Sequence, residues 1–452
     1  MSSTPNSDAV IPETPIDRIV GPFARFMHVQ TASGVVLLVA TVVALVMANS
    51  PWSETYLGIW KTKVGFQVGS VEFVHSLKHW INDCLMVLFF FVIGLEVKRE
   101  LVIGELRDVR KAALPVAAAL GGMVFPAAIY LALAFGGETQ RGWGIPMATD
   151  IAFVVGCMAI LGSRVPASLR VMLLSLAIAD DIGAILVIAL GYSSGLDFGA
   201  LAIGLIGVGV VTLSARLVVR HFAIYVVLGV VIWVAFHQSG IHATIAGVIL
   251  GLMTPARNYI QPQLFGSMLE TAREVLEGGE WESATHRGER VRRFQWAARE
   301  TISPLEYLES AMHPWVAFAI MPLFALANAG IPIEVSQLGS TTALAVMLGL
   351  VVGKPLGILV FAWLAVKLGL AQPPDFGWKL VAAGGALAGI GFTMALFVSE
   401  LALEEPLLTT AKVGVLAGSF IAAVIGMVAL VAMSSEPAAS PSEPVDSPPR
   451  SA

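Results

Sequence analysis

The chain has 452 residues, 56% of them hydrophobic and only 13% charged, with a formal net charge of −5. Soluble domains carry about 25% charged residues, so this composition excludes an ordinary soluble domain. With a mean hydropathy of +0.80 it points to a multi-pass membrane protein in a lipid bilayer. Two cysteines inside apolar stretches, Cys84 and Cys157, give no disulfide framework. No nucleic-acid partner and no cofactor is expected.

Residues 1–30 are polar and hold Pro5, Pro12, Pro15 and Pro22, with no apolar core ahead of a cleavage site. A cytoplasmic N-terminal segment without a cleaved signal peptide is expected. About twelve apolar spans follow within a transmembrane domain over 31–433. They centre on 31–49, 77–97, 112–135, 145–161, 167–192, 198–215, 222–236, 241–254, 315–329, 342–367, 380–399 and 409–433. Residues 61–73 alternate apolar and polar side chains around Gly65 and Gly69, which predicts a small extracytoplasmic hairpin. A long charged cytoplasmic loop over 256–313 is expected to be solvated, with helical stretches near 267–276 and 290–300. The tail 434–452, rich in Pro, Ser and Ala, is expected to be disordered.

Orientation follows from Lys and Arg. The loop after the second span carries Lys98, Arg99, Arg107, Arg110 and Lys111, that after the fourth Arg164 and Arg170, and that after the sixth Arg216 and Arg220. The loop after the eighth is richer still, while the loops after the third, fifth, seventh and ninth are poor. Both termini are therefore expected in the cytoplasm. Lys61 and Lys63, after the first span, fit the rule least well.

The chain is organised around Asp180-Asp181, two acids in the middle of an apolar run over 167–192. An ionised side chain at the bilayer centre costs roughly 2.5–3.5 kcal/mol on insertion scales, and Asp is too short to snorkel. Consecutive helical residues point about 100° apart, so one acid can line a water-filled path while the other meets a partner. Asp150 and Thr149 follow Gly142, Gly144 and Pro146, where an interrupted helix is plausible, and Gly384, Gly385, Gly389 and Gly391 loosen the eleventh span in the same way. Broken helices in matching positions of two halves point to a transporter binding site. Lys354 lies in an apolar setting and needs a carboxylate partner, for which Asp180 is the candidate. Asp83 is deep enough to be functional. Glu96, Glu100, Glu309 and His313 gather near the cytoplasmic boundary, and His242 opens the eighth span.

Several motifs in order carry a resemblance. They are Trp80-Ile81-Asn82-Asp83, Gly94-Leu95-Glu96-Val97-Lys98-Arg99-Glu100, Ala148-Thr149-Asp150-Ile151-Ala152-Phe153 and Ala179-Asp180-Asp181-Ile182-Gly183-Ala184. Gly240-Ile241-His242-Ala243-Thr244, His313-Pro314-Trp315, Gly353-Lys354-Pro355-Leu356-Gly357 and Gly389-Ile390-Gly391-Phe392-Thr393-Met394 complete the set. From about residue 26 to 433 the chain resembles the NhaA family of sodium/proton antiporters. The resemblance implies an all-α polytopic fold of about twelve helices. It also implies inverted-topology repeats with two discontinuous crossing helices, at spans four and eleven; the family is itself a standard case of that rule.

By motif match, Asp181 would be the main Na⁺ ligand and proton carrier. Asp180 would pair with Lys354 or cooperate in proton binding, and Asp150 beside Thr149 would offset the dipole ends of the broken helices and support the cation site, so that Asp181, Asp180, Thr149 and Asp150 form the cation- and proton-binding set. Glu96, Glu100, Glu306, Glu309 and His313 would belong to a cytoplasmic cluster linked to pH control, with Asp83 and His242 along the pathway. The hairpin matches the segment through which family members dimerise. The loop over 261–310 and the tail are longer than the family pattern.

The expected activity is electrogenic exchange of Na⁺ or Li⁺ for H⁺ across a bacterial inner membrane, activated at alkaline pH, for sodium and pH homeostasis, with no chemical step. The enzyme alternative, an intramembrane aspartyl protease, wants an Asp in a Gly-x-Gly-Asp setting, whereas Asp180 follows Ala177-Ile178-Ala179. A symporter for an organic anion would leave so many intramembrane acids without a reason.

Overall fold

The computed structural model describes residues 30–433 except 69–70, 194, 218–221 and most of 259–296. The N-terminal segment, the tail and most of the helical stretches expected within the long loop lie outside the described residues. Helix α1 (Gln30–Ala48) turns sharply, at 114°, into α2 (Ser53–Lys61). A two-stranded antiparallel hairpin follows, β1 (Lys63–Val68) and β2 (Val71–Ser76), with Lys63 opposite Ser76 and Val68 opposite Val71. It runs three residues beyond the predicted end at 73, because Leu77 N–H donates to Thr62 O and closes its base at 2.9 Å.

Long helices come next: α3 (Leu77–Val102), α4 (Val109–Leu133), α5 (Ile151–Leu161), α6 (Ala167–Gly191) and α7 (Phe198–Arg216). After them come α8 (Phe222–Gln238), α9 (Thr244–Met253), α10 (Pro304–Ala329), α11 (Thr341–Lys367), α12 (Trp378–Ala388), α13 (Phe392–Ala402) and α14 (Leu407–Met433). Among the described residues eight helices are long and apolar enough to span a bilayer, or ten if each of two bent pairs counts as one span. The fold is all-α and polytopic, as expected. The predicted spans at 222–236 and 241–254 form helices of 17 and 10 residues, the second well short of the ~20 that a full crossing needs.

Helix starts are set by local chemistry. Asp108, Asp197 and Ser340 accept backbone N–H groups at the starts of α4, α7 and α11. At α10, Ser303 and Glu306 form a reciprocal capping box ahead of Pro304, so the Glu306 carboxylate serves as a cap. Single π-helical turns interrupt α3 at Ile81–Leu85, α10 at Val316–Ile320 and α11 at Gly349–Gly353.

Two close helix contacts fix the frame. Gly121 of α4 and Gly357 of α11 meet backbone to backbone, and Gly94 of α3 lies so near α9 that a Cβ there would stand 2.6 Å from Val248 O. In lipid, where apolar burial gives little drive between helices, such small-residue approaches supply van der Waals contact.

Candidate functional site

The predicted fourth span is broken. A 3₁₀ segment over Glu138–Met147 ends in extended backbone at Ala148, Thr149 and Asp150, and α5 begins at Ile151. The predicted eleventh span is broken too, bent by 50° between α12 and α13 at Gly389-Ile390-Gly391. The two breaks touch: Asp150 N–H donates to Ile390 O at 2.7 Å, and Thr149 Oγ1 lies 3.0 Å from Ala388 O. Backbone groups freed by each break are thus satisfied by the other, which is the condition for irregular backbone inside a membrane protein.

Charged side chains converge on this contact, and each is almost wholly buried. Asp150 caps α5 through Oδ1, which accepts Phe153 N–H at 3.2 Å. Its Oδ2 accepts Thr393 N–H at 3.1 Å and the Thr393 hydroxyl, at the start of α13. Lys354 Nζ of α11 reaches Asp180 Oδ2 of α6 at 2.6 Å and donates also to Met147 O. Thr149 Oγ1 lies 2.6 Å from the same Asp180 oxygen. One hydroxyl proton cannot serve both Asp180 and Ala388 O fully, so the two acceptors share it.

The remaining oxygens differ. Asp180 Oδ1 is buried with no hydrogen-bond donor, and no hydrogen bond reaches the Asp181 carboxyl among the described residues. Asp181 feels the charges of Asp180, Glu96, Lys354 and Asp150. An uncommitted carboxyl among like charges is suited to hold either a proton or a small hard cation.

The other predicted residues separate into two groups. Near one end of α3, Arg99 and Glu309 form an ion pair, Glu96 is half-buried beside them, and Glu100 Oε1 accepts Glu105 N–H at 3.1 Å. His313 senses Arg99 from α10. Near the other end, Asp83 lies with His79 and His237, away from the buried carboxylates. His242 Nδ1 is 2.8 Å from Thr244 Oγ1, and its ring meets Phe397 edge-on at 5.7 Å. A cavity of about 420 Å³ between α3 and α4 is lined by Glu100, Arg107, Asp108 and Lys111, and none of Asp150, Asp180 and Asp181 lines it.

Sequence reasoning missed a second buried charge group. Glu400, at the end of α13, lies 2.5 Å from Lys78 Nζ and pairs with Lys412 of α14, whose side chain is only 3% exposed. Lys412 also donates to Asn328 O at 3.1 Å, and Asn328 exchanges amide hydrogen bonds with Asn82. The available signal was an ammonium three residues inside a predicted span.

Discontinuous helices that meet at buried acids and a buried lysine define a polytopic membrane protein of the broken-helix transporter type. The family model described as Na⁺/H⁺ antiporter 1 matches residues 24–430, and the chain belongs to that family. It is 56% identical over 418 residues to a Na(+)/H(+) antiporter NhaA of Rhodopirellula baltica, covering 92% of this chain and 95% of that one. A Na(+)/H(+) antiporter NhaA of Rhizobium meliloti is 51% identical over 426 residues, 94% of this chain and 98% of that one. A Na(+)/H(+) antiporter NhaA 2 of Acidiphilium cryptum is 49% identical over 424 residues, with 94% of each covered.

Proposed function

We propose that this protein exchanges Na⁺ or Li⁺ for H⁺ across a bacterial inner membrane, exporting sodium at the expense of the proton gradient. The observation that carries the reading is the buried, uncommitted Asp181 carboxyl, next in sequence to the Asp180 that Thr149 and Lys354 tie to the contact of two helix breaks. Na⁺ as substrate would take oxygens from Asp181 and Asp180, with Thr149 and broken-helix carbonyls completing the shell. Two helices short of a full crossing, α8 and α9, would bring the bent pairs and the eight long helices to the twelve spans expected.

Coupling follows from charge. A carboxylate that holds a cation gains little from also holding a proton, so protons arriving from the acidic side displace Na⁺. The site empty of both carries unbalanced charge, and moving it through a low-dielectric barrier is costly, so reorientation requires cargo. Asp181, together with Asp180 or Lys354, offers more than one proton position. Proton excess over Na⁺ makes exchange electrogenic, and each net charge gains about 2.3 kcal/mol per 100 mV of membrane potential. Alkaline internal pH raises activity by leaving the carboxylates deprotonated, with Glu96, Glu100, Glu309 and His313 placed to tune access. The positive-inside rule supports cytoplasmic termini, and the hairpin is the segment through which a homodimer would form.

The test is dye-monitored proton movement in proteoliposomes with an imposed pH gradient. Na⁺ and Li⁺ should collapse the gradient in the wild type, K⁺ should not, and Asp181→Asn should be silent while melting at or above the wild-type temperature. A wild type indifferent to every cation refutes the reading.

A further inference from the structure

Among the described residues one other group brings metal-ligating atoms together: His79 and Asp83 of α3 with His237 at the end of α8. His79 and Asp83 are four residues apart and share a helix face, and Asp83 lies in the π-helical turn Ile81–Leu85. His79 Nε2 lies 3.4 Å from Asp83 Oδ2, and His237 Nε2 lies 3.5 Å from the same oxygen. All three donor atoms fall within 4.8 Å of one another.

These separations are longer than good N–H···O bonds, which cluster at about 2.7–3.2 Å. They match the edge of a tetrahedron, about 3.4 Å, for ligands about 2.0–2.1 Å from Zn²⁺. The remaining edge, between the imidazoles, closes by small ring rotations, which half-exposed side chains allow. A cavity of about 10 Å³ lies among these groups, lined also by His75, Trp80, Cys84 and Trp233. That volume is about the room needed by one water molecule or one ion.

We propose that His79, Asp83 and His237 form a binding site for a divalent transition metal, with Zn²⁺ the best fit and a water in the fourth position. Two imidazoles and one carboxylate are a borderline-soft donor set that disfavours Na⁺, Mg²⁺ and Ca²⁺. The bound ion ties α3 to α8 and turns a negative site positive at one end of the helix that carries Glu96 and Arg99. It therefore slows cation exchange, a consequence that rests on the antiport reading, whereas the binding site itself does not.

Co²⁺ titrated into the purified full-length protein in detergent tests the site directly. The wild type should develop the intense visible bands of tetrahedral Co²⁺, bleached by one equivalent of Zn²⁺. His79→Gln and His237→Gln should each bind at least about tenfold more weakly while melting like the wild type. Absence of the bands, or variants that bind as tightly as the wild type, overturns the site. In proteoliposomes without metal the two variants should exchange like the wild type, and micromolar Zn²⁺ should slow only the wild type. Zn²⁺-insensitive exchange in a wild type that binds Co²⁺ overturns the inhibitory role. A wild type that binds Co²⁺ and never exchanges refutes antiport alone.

Discussion

Replacing Lys354 by methionine keeps most of the side-chain volume and removes the ammonium that Asp180 Oδ2 meets at 2.6 Å. Both partners are essentially inaccessible, at 0% and 1% side-chain exposure, so water cannot take over. Asp180 Oδ1 already lacks a donor, which among the described residues leaves Thr149 as the other group that hydrogen-bonds this carboxylate. Breaking a buried pair from one side costs about 3–5 kcal/mol, whereas replacing both charges by neutral groups of similar volume is often neutral. At about 2 °C per kcal/mol, Lys354→Met should lower the melting temperature by about 6–10 °C. Asp180→Asn, which strands the ammonium instead, should fall by a similar amount. The double variant should return to within about 2 °C of the wild type while remaining inactive. Tryptophan-monitored unfolding in detergent reads all three proteins. A double variant that loses the sum of the two single losses would show no coupling between the partners, and the ion-pair reasoning would be refuted.

Three further outcomes are expected. Glu400→Gln leaves the ammonium groups of Lys78 and Lys412 facing each other without a carboxylate, so its melting temperature should drop by about as much as that of Lys354→Met. Adding Lys412→Met should restore most of the loss. Gly94→Ala drives a Cβ to 2.6 Å from Val248 O and should cost about 1–3 kcal/mol by forcing α3 from α9; Gly209→Ala, with no atom within 4 Å, should be neutral or stabilise by up to about 1 kcal/mol. Thr149→Ala removes the hydroxyl shared by Asp180 and Ala388 O and should weaken apparent Na⁺ affinity about tenfold in the proteoliposome assay, while Thr149→Ser should stay near wild type.

What the sequence made legible was wherever desolvation leaves one solution. A lysine in a wholly apolar setting must find an acid, and Asp180 was the acid at comparable depth, 174 positions away. Gly142, Gly144 and Pro146 before Asp150, and the glycines at 384, 385, 389 and 391, marked both breaks, because glycine and proline are the residues that interrupt a helix. Lys412 escaped notice for the opposite reason. An ammonium near the start of a span can snorkel to the interface, and only packing of α14 against Asn328 and Glu400 buries it. Helix α2 was also missed, since nine residues over Ser53–Lys61 are too few for a clear period. The Arg99–Glu309 pair joins positions 210 apart on two helices, and charge patterning within either helix carries no trace of it. The π-helical turns share this fate, being one-residue adjustments imposed by neighbouring helices.

The three buried aspartates are close in type and setting, and their hydrogen bonds separate their roles. Asp150 faces the N-termini of both α5 and α13, where unpaired N–H groups carry partial positive charge. Lys354 faces Met147 O, at the C-terminal end of the 3₁₀ segment, and Thr149 faces Ala388 O, at the C-terminal end of α12. Each of the four chain ends made by the two breaks thus meets a side chain of suitable polarity. With both oxygens engaged, Asp150 would have to surrender two helix caps to bind a cation. Asp180 has given one oxygen to Lys354 and Thr149 and keeps the other. Among the described residues Asp181 has given none, and no ion pair reaches its carboxyl. In the exchange we propose, this uncommitted carboxyl is where something mobile and positive would join the site. On that proposal a proton and a sodium ion would compete for one carboxyl, and such competition is the physical content of antiport.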